Sequence, residues 1–82
     1  MTGPLNGPSI GPRIAELRRR ARYTQRQLAE AVGLNPLTAI SKIERDERFP
    51  RGPTLHKLAY ALGVPIEEFF RPVGSRIRKK AG

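Results

Sequence analysis

The sequence predicts an all-α fold, and three observations carry that prediction. Apolar residues recur at three- and four-residue intervals in several short windows, as in Ile14 and Leu17, Leu28 and Val32, and Leu55, Leu58 and Leu62. No window alternates apolar and polar residues with the period of a strand, and no repeat or heptad appears. Glycine and proline break the chain into short pieces. With 82 residues, 38% of them hydrophobic and only five aromatic (Tyr 2, Phe 3), the chain has one thin core that several short helices must share.

Three prolines and three glycines in the first twelve residues read as a flexible arm over 1–9. Helix one is expected over about 10–21, with Ile14, Leu17 and Ala21 on its inner face, Pro12 in its first turn and Ser9 as a cap just upstream. Thr24 followed by Gln27 at the third position is a capping box, which opens helix two with Leu28, Ala29 and Val32 buried. Gly33 closes it, because glycine takes the left-handed conformation of a helix end without steric cost. Asn35-Pro36 opens helix three, about 36–45, with Ile40 and Ile43 inward. A polar turn leads to Pro53, which starts helix four with Leu55, Leu58, Ala59 and Leu62, and Gly63 ends it. Pro65 begins a fifth helix with Ile66, Phe69 and Phe70; of two consecutive phenylalanines only one can point fully inward, leaving the other as a candidate dimer contact.

The net charge of +9, from 16 Lys+Arg against 7 Asp+Glu, suits a partner that is a polyanion. Its distribution says more. Residues 13–22 carry five arginines against Glu16, and the basic tail from Arg71 carries five bases and no acid. The block 23–70 between them holds six bases and six acids and is neutral. Charge is thus expected to attach the flanks electrostatically while the middle performs a different task.

Several function classes drop out. Without cysteine there is no disulfide, thiolate metal site or cysteine nucleophile, and the single His56 cannot build a zinc site; it is expected to be exposed and without a role. Three serines and one histidine offer no triad or dyad spacing, so the chain is expected not to be an enzyme and to need no cofactor. The apolar runs are too short for a membrane span or a secretory leader, Ile77 stands alone among the tail's bases, and a cytoplasmic, nucleoid-associated location without membrane contact is expected.

The informative unit is the pair formed by helices two and three, joined at Gly33. A short turn with glycine lets two helices meet steeply, so that the second can enter a major groove while the first braces across phosphates. Here the chain resembles the Cro/C1-type, or Xre, helix-turn-helix family. The resemblance rests on Arg18, Thr24-Gln25, Leu28-Ala29-Glu30, Gly33-Leu34, Ile40-Ser41-Lys42-Ile43-Glu44-Arg45, Pro50 and Leu55 through Leu58-Ala59 to Ala61-Leu62-Gly63-Val64. It implies a compact five-helix, lambda-repressor-like DNA-binding domain over 10–70, flanked by the arm and by a basic tail over 71–82.

The resemblance further implies a sequence-specific transcriptional regulator, repressor-like, that binds a palindromic operator in double-stranded DNA as a homodimer. Gln25 and Thr24 would meet the DNA backbone, and Leu37, Thr38, Ser41 and Lys42 would read bases. The chemistry suits these roles: Lys42 can donate to guanine, Ser41 and Thr38 can donate or accept, and Leu37 or the Thr38 methyl can meet a thymine methyl. Arg18, Arg45 and Arg48 are expected to hold phosphates, and Arg76, Arg78, Lys79 and Lys80 could form a DNA-following arm or a solubilising end. Glu44, which phosphates would repel, is expected to be structural, pairing with an arginine or capping. The chain departs from the family pattern twice. One extra residue lies between Gly33 and Ser41, so Ser41 and Lys42, beside the anchoring Ile40, are the firmer assignments. Arg22 stands where the family often has glycine, so either helix one runs on or an arginine sits in the left-handed region at about 1 kcal/mol. Alternatives on the same fold are a restriction–modification controller, an antitoxin that also grips a toxin, and a coactivator resembling multiprotein bridging factor that works through a protein partner.

Overall fold

The computed structural model describes residues 9–34 and 38–78, and these form four α-helices and a terminal 3-10 helix. The helices are α1 (Gly11–Arg20), α2 (Gln25–Val32), α3 (Thr38–Glu44) and α4 (Gly52–Leu62), followed by the 3-10 helix Ile66–Phe70. The all-α prediction holds; the fifth element, expected as an α-helix, is the tighter 3-10 form. Ile10, Ile14 and Leu17 of the first segment, Leu28, Ala29 and Val32 of α2, Ile40 and Ile43 of α3, Leu58, Ala59 and Leu62 of α4, then Val64 and Phe69, make one core. The adjacent Phe70 is 47% exposed while Phe69 is fully buried.

Helix ends follow the local chemistry. Thr24 and Gln27 make the reciprocal capping box: Thr24 Oγ1 accepts from the Gln27 amide at 3.0 Å and Gln27 Oε1 accepts from the Thr24 amide at 2.9 Å. Gly33 (φ 72) and Gly63 (φ 70) close α2 and α4 in the left-handed conformation. The end of α1 differs from the expected inner face, because the helix stops at Arg20 and leaves Ala21 exposed as its C-terminal cap. Arg22 then takes φ 66, with its amide on Arg19 O and the Tyr23 amide on Arg18 O. The bend is therefore kept with an arginine in a left-handed position, at a cost of about 1 kcal/mol.

The start of α1 differs too. Ser9 does not cap the helix; Ile10 occupies the cap position without a side-chain bond. Asp46, which follows α3, supplies the missing acceptor: its Oδ1 takes the Gly11 amide at 2.9 Å and its Oδ2 takes the Ser9 hydroxyl at 2.6 Å. Asp46 itself sits at φ 61, closing α3 with its own amide on Ile43 O and the Glu47 amide on Lys42 O. One residue thus ends α3 and caps α1, which locks the position of α3 to the first helix. The predicted Asn35 cap of α3 falls on residues 35–37, outside the described residues.

Past Phe70 the chain folds back across α1. Arg13, expected only as one charge of a basic helix, is 1% exposed. Its guanidinium donates to Glu68 Oε1 (2.7 Å), Glu68 O (2.9 Å), Glu16 Oε1 (2.8 Å) and Ser75 O (3.1 Å). Glu16 accepts the Gly74 amide at 2.9 and 3.0 Å, and Ile77 packs against the core. Residues 74–77 of the segment set apart by its charge are therefore tied to α1. The Gly74 amide, then Arg13, holds the Glu16 carboxyl below its ordinary 4.5. A depressed carboxylate contributes stability that is present above the unfolded value and disappears as pH falls through the lower folded one. Hydrogen exchange at the Gly74 amide should accordingly accelerate as the pH is lowered below about 4.5, relative to its intrinsic rate, and Glu16→Gln should remove that pH dependence.

Candidate nucleic-acid interface

The capping box places Gln25 at the first turn of α2, and the packing of Ala39, Ile40 and Ile43 inward turns the other face of α3 outward. At about 100° per residue, positions 38, 41, 42 and 45 form one outer stripe. Thr38, Lys42 and Arg45 on it are exposed, and Ser41 is half-buried at its edge beside Gln25. The stripe carries hydroxyl, hydroxyl, ammonium and guanidinium groups, so it can donate to acceptor-rich base edges and to phosphates.

A chain of hydrogen bonds joins this stripe to α1 and α2. Arg18 Nε donates to Glu44 Oε2 at 2.6 Å, its Nη2 reaches Glu44 Oε1 at 3.3 Å, and its Nη1 donates to Tyr23 O at 2.9 Å. Glu44 Oε1 also accepts from Gln25 Nε2 at 2.9 Å, and Gln25 Oε1 accepts from the Ser41 hydroxyl at 3.0 Å. Side chains of three helices are thereby held in one arrangement, with Arg18 and Glu44 only 11% and 7% exposed. The structural role expected of Glu44 is this pairing with an arginine.

Family comparison agrees with the geometry. A helix-turn-helix family matches residues 14–69, from within α1 through the 3-10 helix. The chain belongs to the Cro/C1-type helix-turn-helix family. Its relatives in this DNA-binding, non-enzymatic Cro/C1-type family include the transcriptional regulator PuuR of Escherichia coli, 41% identical over 64 residues covering 78% of this chain and 34% of PuuR. Another is the uncharacterized transcriptional regulator RghRB of Bacillus subtilis, 42% identical over 66 residues, or 79% of this chain and 47% of RghRB. The chain thus spans between a third and a half of the length of these relatives. Among solved structures, the restriction-modification controller protein C.AhdI from Aeromonas hydrophila superposes with a TM-score of 0.71 at 32% identity, over 76% of this chain and 92% of C.AhdI.

The expected site residues fall at different places on this Cro/C1-type scaffold. Thr38, Ser41, Lys42, Thr24 and Gln25 lie at the α2–α3 unit, and Arg45 and Arg48 are exposed in the turn after α3. Thr24 Oγ1 accepts the Gln27 amide, which leaves its own hydroxyl proton for an outside acceptor. Arg18, expected to hold a phosphate, has its guanidinium engaged with Glu44 and Tyr23 and so also braces α1 against α3. Arg76 and Arg78 are exposed in the returning segment, while Leu37, Lys79 and Lys80 lie outside the described residues. Arg45 is held by Glu47 at 2.8 and 3.2 Å, a pair that raises the guanidinium's pKa and lowers the carboxyl's. Both partners are exposed, so the pair competes weakly with a phosphate. Among the described residues no group of His, Cys, Asp and Glu could hold a metal, and no helix is long and apolar enough to cross a membrane.

The sequence reading missed Arg13 and Asp46. For Arg13 a signal exists, since it lies three residues after Ile10 and four before Leu17, on the same helical face as the core. Asp46 gives no comparable signal, because it meets Gly11 only when α1 and α3 pack.

Proposed function

We propose that this chain reads a specific double-stranded DNA sequence as the operator-binding part of a transcriptional regulator, repressor-like, acting as a homodimer on a palindromic site. The observation that supports this best is the outer stripe Thr38, Ser41, Lys42 on a helix whose opposite face is wedged into the core, with Gln25 at an adjacent helix start. In this reading α3 enters the major groove, Lys42, Ser41 and Thr38 meet base edges together with Leu37, and Gln25, Thr24, Arg45 and Arg48 hold phosphates. Arg76, Arg78, Lys79 and Lys80 add sequence-independent attraction. Two copies present α3 to successive major grooves about 34 Å apart, which mirrors a palindrome. The location that goes with this role is the cytoplasm, at the nucleoid.

Selection of bound sequences from a random duplex library tests the reading. A palindromic consensus, bound by a species that sediments as a dimer, is expected; enrichment of no sequence would sink it and favour a chain that works through a protein partner. On the selected site, Lys42→Ala should cost about 1–3 kcal/mol and relax preference at one base pair. Arg45→Ala should instead weaken binding to all duplexes alike and reduce the salt slope by about one unit, as measured by fluorescence anisotropy at several salt concentrations.

A second reading, the restriction–modification controller, is favoured by the likeness to C.AhdI, which spans 92% of that protein. It predicts that the selected operator lies beside genes for a DNA methyltransferase and an endonuclease in the source genome.

A further inference from the structure

The hydrogen-bond chain from Arg18 to Ser41 has a direction, and that direction limits what Ser41 can read. Glu44 is a carboxylate, which accepts and cannot donate. The Gln25 group facing it at 2.9 Å must therefore be the amide nitrogen, whichever way an amide could otherwise be turned. This points the Gln25 carbonyl oxygen at Ser41, 3.0 Å away, and an oxygen there can only accept. The single Ser41 hydroxyl proton is thereby committed to Gln25. Arg18 anchors the far end, holding both Glu44 oxygens. We propose that Ser41 meets DNA as a hydrogen-bond acceptor only, and so selects adenine or cytosine on the strand it faces.

The inference rests on the reading of α3 as the base-reading helix and adds a rule to it. In the major groove, adenine N6 and cytosine N4 are donors, whereas guanine offers two acceptors and thymine one acceptor beside its methyl, with no donor on either. A serine free to turn its hydroxyl would donate to guanine or thymine and accept from adenine or cytosine, and so tolerate all four. This serine, with its proton engaged, repels the acceptor edges of guanine and thymine and pairs with an amino group. Gln25 keeps one amide proton beyond the one given to Glu44, which leaves it able to hold a phosphate in the same orientation. The family's backbone-contacting position and a base reader are thus set by one carboxylate, and Glu44 is a positioning residue for both.

The test begins from the consensus selected by the wild-type protein. Ser41→Ala should relax preference at one base pair whose contacted base is adenine or cytosine. At that position the wild-type protein is then titrated against duplexes carrying a base analogue without the exocyclic amino group (purine for adenine, pyrimidin-2-one for cytosine). Binding should weaken about tenfold, the scale of one hydrogen bond, and Ser41→Ala should show no such loss. Where the base is adenine, 7-deazaadenine, which lacks the N7 acceptor, should bind the wild-type protein unchanged. Glu44→Gln lets Gln25 reverse and frees the Ser41 proton, so guanine or thymine should rise at that position; the analogue titrations on the wild-type protein stand even if this variant folds poorly. A contacted guanine or thymine, a loss with 7-deazaadenine but not with purine, or no base pair affected by Ser41→Ala would overturn the rule while a wild-type consensus leaves the broader reading standing. Absence of any wild-type consensus would instead bring down the broader reading.

Discussion

Glu68→Ala is expected to remove about 3 kcal/mol of stability, because it deletes one of the two carboxylates on the buried Arg13 guanidinium and leaves Glu16 as that charge's remaining partner. Arg13 and Glu68 have side chains only 1% and 3% exposed and lie 2.7 Å apart. Arg71 approaches the same carboxylate at 3.6 Å, and its Nε is buried without a hydrogen-bond partner among the described residues. Removing Glu68 thus takes a carboxylate from two cations, of which Arg13 keeps Glu16 and Arg71 is partly open to water. A domain of this length is stable by roughly 4–12 kcal/mol, so the loss is a large share of the total and should lower Tm by more than about 12 °C. The pair is not a gain over an apolar core of equal volume, since burying two charges costs about as much as their attraction returns. What it does is fix position. The same guanidinium holds Glu68 O and Ser75 O, so it pins the 3-10 helix and the returning chain to α1. Glu68→Gln keeps an acceptor and should lose less than Glu68→Ala in a thermal melt. Equal and small losses for both variants would show that the carboxylate does not carry the joint.

The fold and the site were legible to different depths, and the reason is the range of the interactions involved. The helix-forming periodicities, the capping box at Thr24 and the glycine stops at Gly33 and Gly63 act within four or five residues, so they stand in the sequence as they stand in the structure. Lys42 and Thr38 could be placed on an outer stripe for the same reason: Ile40 and Ile43 fix the inward direction, and helical geometry supplies the rest. Arg18 could not be placed. Its spacing on α1 carries no sign of the pairing with Glu44, which lies 26 residues later. The +9 charge is similarly divided by tertiary contacts. Arg13 and Arg18 belong to internal ion pairs, while Lys42, Arg45, Arg48, Arg76 and Arg78 remain exposed. Net charge announces attraction to a polyanion, but it does not say which cations are available to it.

Gly11→Ala is expected to destabilise the protein by about 3 kcal/mol, against the direction that helix propensity alone predicts. Alanine inside a helix is favoured over glycine by about 1 kcal/mol, so a substitution at the start of α1 would ordinarily be neutral or helpful. Here a β-carbon would stand 2.6 Å from Glu44 O and 2.8 Å from Asp46 Oδ1, with Ile43 O nearer still. Two of these are backbone atoms at the end of α3, which cannot rotate aside as a flexible side chain can. The helices must separate, and separation stretches the bond from the Gly11 amide to Asp46 that caps α1. It also moves Glu44 relative to Arg18 and Gln25, whose 2.6 and 2.9 Å contacts hold the α2–α3 unit together. The effect should therefore appear twice: as a lower Tm, and as weaker DNA binding measured well below that Tm, where the variant is still folded. Gly52→Ala supplies the contrast, because Gly52 begins α4 and a β-carbon there would meet nothing within 4 Å. Its melt should be unchanged or slightly raised. If Gly11→Ala matched Gly52→Ala in both measurements, the close approach of α1 to the end of α3 would not be what positions α3.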